Sequence, residues 1–194
     1  MTPLQEIRTA RLVLRLFTLA DAPDIQRLAN DRDVAGNTLT IPHPYPDGQA
    51  EIWLASVEKK LAEGSAAVFA ICDPSSGALL GTIGLQIDRD QRRAELGYWM
   101  GRDARGQGFA SEAARALLDY GFGELGLERI FASHFPWNPA SGRVLEKAGM
   151  QREGTLRGHV LKNGARVDLH FYGILRAEHP QTSAERERGE REPA

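Results

Sequence analysis

The stretch Ala94-Glu95-Leu96-Gly97-Tyr98-Trp99-Met100-Gly101-Arg102-Asp103-Ala104-Arg105-Gly106-Gln107-Gly108-Phe109-Ala110-Ser111-Glu112-Ala113-Ala114 decides how the rest of the chain is read. Residues 94–100 read as a strand, and a helix is expected over 109–122. There Ala110, Ala113, Ala114, Leu117 and Leu118 repeat at i, i+3, i+4, i+7 and i+8 and form one apolar face. Between them lies Arg105-Gly106-Gln107-Gly108. Glycines let backbone N–H groups approach an anion without an intervening side chain. A helix start adds unpaired N–H groups and partial positive charge. A pyrophosphate suits such a loop, with Arg105 adding charge at its entrance. Taken alone the loop is equally compatible with a plain turn. A P-loop needs Gly-Lys-Ser/Thr, which is absent, and a dinucleotide fingerprint needs glycine where Ser111 stands.

Outward from this segment, alternation predicts a strand over 11–18 and a helix over 22–30 capped by Thr18 or Asp21. Residues 36–48 hold three prolines and two glycines, which excludes regular structure there. A helix over 49–62 follows, with Ile52, Leu54, Val57 and Leu61 as its apolar positions. Strands are expected at 67–73, 79–88, 130–135 and 167–175, and a short helix at 139–148. The order is that of a mixed α/β sheet in one domain. From about residue 177 the composition changes, and Ala184–Ala194 offers almost nothing to bury, so 178–194 reads as a charged, disordered tail.

The bulk properties bound the function. The chain has 194 residues, a net charge of −2 and 42% hydrophobic residues, which suits one globular domain and gives no electrostatic pointer to nucleic acid. The single cysteine, Cys72, sits in an apolar run and reads as a small buried hydrophobe in a reducing compartment. No targeting segment or membrane span is visible, so a cytoplasmic protein is expected. No His, Cys and carboxylate group has metal-ligand spacing, so no metal site is expected.

Several ordered motifs together resemble the GCN5-related N-acetyltransferases, abbreviated GNAT. Arg105-x-x-Gly108-x-Ala110 is similar to the family's Gln/Arg-x-x-Gly-x-Gly/Ala loop. Glu95-Leu-Gly-Tyr-Trp99 precedes it, Ala110-Ser-Glu-Ala113 follows, and Asn138-Pro-Ala-Ser141 and Leu145-Glu-Lys-Ala-Gly149 come later. Thr9-Ala-Arg-Leu-Val-Leu-Arg15 and Ile41-Pro-His-Pro-Tyr45 look like the RimJ/RimL-type branch, which includes ribosomal-protein N-terminal acetyltransferases. The resemblance covers about residues 8–177 and implies a central mixed, splayed β-sheet flanked by helices.

The resemblance further implies acetyl-CoA as donor and an amine as acceptor, either a protein N-terminus or a small molecule. No nucleic acid or membrane partner is implied, and a homodimer is compatible. Tyr98, Trp99 and Met100 would pair their backbone with pantetheine. Arg105, Gly106, Gln107, Gly108, Ala110 and Ser111 would hold the pyrophosphate, and Asn138 would hydrogen-bond pantetheine. Asn138 also reads as a helix cap before Pro139. Glu95 is the candidate base, with a solvated ion pair to Arg92 or Arg93 as the competing reading. The family's tyrosine position holds Leu145, and a related branch's base position holds Ser133, so neither role carries over. In the RimJ/RimL-type branch the acid falls on Ser141, which otherwise reads as an ordinary residue at a helix start. His134 and His43 are secondary candidates, whereas His159 and His170 show no supporting neighbours in sequence. An acyl-CoA-binding module without turnover and a small oxidoreductase are the competing functions.

Overall fold

The computed structural model describes residues 6–180; of the tail expected over 178–194, residues 181–194 lie outside them, whereas Glu178 ends a 3-10 turn and His179 is buried. An open sheet of eight strands runs in the order β1-β2-β3-β4-β5-β6-β8-β7. Its strands are β1 (Ile7–Arg8), β2 (Val13–Arg15), β3 (Ala66–Cys72), β4 (Leu79–Asp88), β5 (Arg93–Met100), β6 (Arg129–His134), β7 (Gln151–Lys162) and β8 (Ala165–Leu175). The helices are α1 (Ala22–Ala29), α2 (Arg32–Asn37), α3 (Gln49–Glu63), α4 (Phe109–Gly123) and α5 (Pro139–Lys147). All neighbouring strands are antiparallel except β5 and β6. A parallel pair needs a crossover, and α4 supplies it.

Helices cover both faces of the sheet, and this explains why β3 is buried along its whole length rather than alternating. Ala67, Phe69 and Ile71 point into the large core under α4 and α5, with Ala113, Ala114, Leu117, Leu118 and Leu145. Ala70 and Cys72 point the other way, into a cluster with Ala22, Ile25, Ala50 and Leu54 from α1 and α3. The same parity divides β5. Ala94, Leu96, Tyr98 and Met100 pack on the α4 side, while Trp99 packs on the α1–α3 side.

Several sequence expectations need correction. The strand expected over 11–18 is paired only over Val13–Arg15. The irregular stretch begins after α2 rather than at residue 36, because Asp31 accepts from the amides of Asp33 (2.7 Å) and Val34 (3.4 Å) and caps one short helix. On α3 the inward face is Ala50, Leu54 and Val57, while Ile52 is 65% exposed. The sheet also holds a strand that sequence reasoning omitted. β7 is long, lies at the sheet edge and pairs with β8, so one of its faces and one edge meet solvent and little apolar alternation is required.

Candidate functional site: a split in the central sheet

Parallel pairing between β5 and β6 stops after Arg93↔Arg129, Ala94↔Ile130 and Glu95↔Phe131. Beyond that point β5 continues against β4 alone, and β6 continues against β8 alone. The two central strands therefore diverge, and among the described residues the β6-facing edge of residues 96–100 has no strand partner. Backbone donors and acceptors left open in the middle of a sheet call for partners, which an extended polar chain could supply. The split opens into a cleft of ≈ 1250 Å³ bordered by Glu95, Trp99, Gly108, Asn138 and Ser141.

The loop at the wide end is an all-backbone cradle. Gly106 and Gly108 take φ of 76° and 82°, the left-handed region that favours glycine, and Gly108 directly precedes α4. A Cβ on Gly106 would meet nothing within 4 Å. The side chains around these glycines turn elsewhere. Arg105 Nε donates to Met100 O (3.0 Å), and its guanidinium pairs with Asp33 (3.0 Å) and Asp31 (3.4 Å). Gln107 Nε2 donates to Asp103 O at 2.7 Å. Arg11 Nη1 donates to Gln107 O at 3.0 Å, holding that carbonyl toward Arg11. The first amides of α4, at Phe109, Ala110 and Ser111, have no acceptor upstream in the helix and carry its positive dipole end. Glu112 anchors the same turn by accepting from Thr9 Oγ1 (2.7 Å) and Arg11 N (2.9 Å). Burial opposes its ionisation, yet these bonds and the Arg11 charge hold its carboxyl below the usual range. A diphosphate group fits the loop.

On the α5 side, Asn138 caps the helix by accepting from Ser141 N at 3.2 Å, which leaves its amide NH₂ free of that role. Ser141 Oγ lies 2.7 Å from the Tyr98 hydroxyl. Burial pushes the Tyr98 phenol up to about 12, and the Ser141 bond opposes that shift. The two groups are 43 residues apart in sequence, so their pairing had no local signal. Leu145, at the family's tyrosine position, is fully buried, and the hydroxyl of Tyr98 reaches the α5 start from the sheet instead.

On the opposite face, Glu95 is exposed into the cleft. The ion pairs weighed against it are not made, because Arg92 pairs with Glu128 (2.7 Å) and Arg93 with Asp88 (3.2 Å). The enclosing walls desolvate its carboxyl and push it above the usual range, while His159 on β7 opposes the shift. His159 thus has the neighbour that sequence reasoning denied it, across a turn of topology rather than of sequence. His170 likewise bonds Thr155 Oγ1 at 2.8 Å.

The remaining candidates are placed as follows. His134 is buried, with Nδ1 2.8 Å from Phe135 O and Nε2 against Gly142, where a Cβ would stand 2.8 Å away. Burial lowers its imidazole below the ordinary value, and the Phe135 bond opposes this. His43 accepts from Arg32 Nε at 3.3 Å and borders a separate outer depression of ≈ 410 Å³. Trp53 and Trp99 pack in the α1–α3 cluster, whereas Trp137 is 53% exposed and stacks on Phe135 at 4.7 Å. Among the described residues no group of His, Cys, Asp and Glu could hold a metal ion, and no helix is long and apolar enough to cross a membrane.

A mixed sheet split at its parallel pair, with a glycine loop feeding a helix at the wide end, defines an acyl-CoA-type transferase fold. The chain matches the acetyltransferase (GNAT) domain family over residues 11–151 and belongs to that family. An uncharacterised N-acetyltransferase of Bacillus licheniformis is 35% identical over 178 residues, covering 91% of this chain and 99% of that one. The ribosomal protein uS5-alanine N-acetyltransferase of Escherichia coli is 30% identical over 125 residues, 63% of each chain. The spermidine N-acetyltransferase of Vibrio cholerae, solved with CoA and spermine, superposes with a TM-score of 0.76 at 25% identity over 88% of this chain and 99% of that one.

Proposed function

We propose that residues 8–177 form an N-acetyltransferase domain that moves the acetyl group of acetyl-CoA directly to a primary amine in a ternary complex, in the cytoplasm. The observation that carries this reading is the split between β5 and β6, which aligns an open strand edge with the Gly106–Ser111 cradle. Acetyl-CoA supplies an activated thioester. The backbone of Tyr98, Trp99 and Met100 holds the pantetheine arm as a short extra strand. The amides of Gly106, Gln107, Gly108, Ala110 and Ser111 hold the diphosphate, with Arg105 fixing the loop to α2, and the free NH₂ of Asn138 reaches the arm from α5.

Glu95 and the Tyr98–Ser141 pair lie on opposite faces of the sheet, and the split joins them. Glu95 takes the proton that an ammonium must lose before its nitrogen can attack. A carboxyl pushed upward is a better match to that task than an ordinary one. As the new N–C bond forms and the C–S bond breaks, Ser141 gives its proton to the departing thiolate and is resupplied by Tyr98; the second proton, shed as the nitrogen becomes an amide, passes through solvent to restore the pair, and Glu95 releases the first to water. The acceptor is a protein N-terminus, as in the ribosomal branch, or a small amine. Thermal shift with CoA and with acetyl-CoA tests the donor site, since a native-state ligand must raise Tm. Thiol release with an amine panel tests turnover. A flat Tm with both nucleotides overturns the reading.

A further inference from the structure

We propose that the acceptor is a primary amine carried by a flat, uncharged body, of the arylalkylamine class, lying on a bare strip of sheet beside Glu95. This deepens the acetyltransferase reading and rests on it. Odd-numbered residues of β5 face the α1–α3 side of the sheet. Across the β4–β5 ladder, Gln86 opposes Glu95, Gly84 opposes Gly97, and Thr82 opposes Trp99. Two glycines therefore stand side by side on central strands, between a carboxylate and an indole. A Cβ on Gly97 would meet nothing within 4 Å, and its φ lies outside the left-handed region, so its backbone does not require glycine. Gly97 is exposed although β5 is interior to the sheet. The missing side chain leaves a shallow trench with a peptide floor. Val68 leans over its far edge, since a Cβ on Gly84 would come within 2.9 Å of Val68 Cγ2.

The walls are aromatic and poor in free negative charge. Phe131 stands opposite Glu95 in register and stacks with Phe171 (6.1 Å, 12°), which His159 meets edge-on at 5.7 Å. Trp53 borders the same cleft from α3. Among the described residues Asp33 and Glu95 are the carboxylates that border the cleft, and Asp33 is paired with Arg105 at 3.0 Å. Lys60 borders it too. A second or third ammonium on an acceptor would thus meet Lys60 and an Asp33 already paired with Arg105 instead of a free carboxylate, with ring faces as a weaker substitute. A flat apolar body instead gains ring contacts and covers the open peptide floor. The β7–β8 wall is held in place by Lys162 Nζ, which donates to Ala35 O (2.9 Å) and Thr38 O (2.6 Å) at the end of α2.

The test compares kcat/KM for 2-phenylethylamine, spermidine and an alanyl peptide with acetyl-CoA, on the wild type and on Gly97→Ala and Gly97→Leu. The arylalkylamine is expected to exceed both other acceptors by at least tenfold. Gly97→Ala should lower its kcat/KM modestly, and Gly97→Leu by about a hundredfold, in the range that pocket-filling substitutions produce. Gly97→Ala should keep the wild-type Tm and CoA-induced shift, because a Cβ there meets no heavy atom within 4 Å, and the same two readings on Gly97→Leu identify a folded variant with its donor site intact. Spermidine or the peptide being the best acceptor overturns the proposal, as does full turnover in a folded Gly97→Leu. Absence of any CoA shift in the wild type would instead remove the donor site, so the two failures are distinguishable.

Discussion

Replacing Glu95 by glutamine keeps the shape of the side chain and removes its ability to accept a proton. Loss of a positioned base costs roughly 10²–10⁴ in rate. At the lower end of that range the loss is about a hundredfold, near 3 kcal/mol of barrier. The stability change has the opposite sign from that of a broken ion pair. Desolvation raises the carboxyl of Glu95, so its charged form is disfavoured in the folded state. That cost is absent below the unfolded carboxyl pKa, sets in as pH rises through it, and is complete above the folded value. Glu95→Gln should therefore leave Tm unchanged or higher at pH 7. Initial rates by thiol release from pH 6 to 10, with scanning fluorimetry on the same samples, read both quantities. The rate deficit should shrink at high pH, where an amine of pKa about 8 to 10 has already lost its proton. Normal turnover with a lowered Tm would refute the base and restore the ion-pair reading.

Gly108→Val should abolish the CoA-induced Tm shift, because a branched side chain at φ 82° strains the cradle and covers its amides; an equal shift in a folded variant removes the loop from the site. Asn138→Ala should raise KM for acetyl-CoA and lower stability by about 1 kcal/mol through loss of the α5 cap, read by kinetics and denaturation. Tyr98→Phe and Ser141→Ala should each lower kcat more than KM, with the double variant no worse than the poorer single one, since the two hydroxyls act as one 2.7 Å pair. Independent, additive losses would separate them.

The elements that sequence exposes are those whose residues answer to a local demand. The glycines at 106 and 108 are required by positive φ, and the alanine and leucine stripe of α4 is required by a buried face. β7 obeys no such demand, because it lies at an edge and its register slips near Gly154 and between Leu156 and Val160. α2 is six residues long and buries only Val34 and Ala35, so its one readable sign was the Asp31 cap. The site divides the same way. The loop and the strand before it were legible as contiguous text. The Tyr98–Ser141 pair and the approach of His159 to Glu95 are made by β5, α5 and β7 meeting in space, and no window of sequence contains them.

The short parallel seam between β5 and β6 has a kinetic meaning. Three registered pairs hold two half-sheets together at one end, and beyond them the strands part like an unfastened zipper. An extended chain filling that gap would stand as a temporary strand against residues 96–100, beside Glu95 and Phe131, whose spacing the seam itself fixes. On the proposed reading a seated donor completes one wall of the acceptor site, so initial-rate and product-inhibition kinetics are expected to show the nucleotide entering first and leaving last.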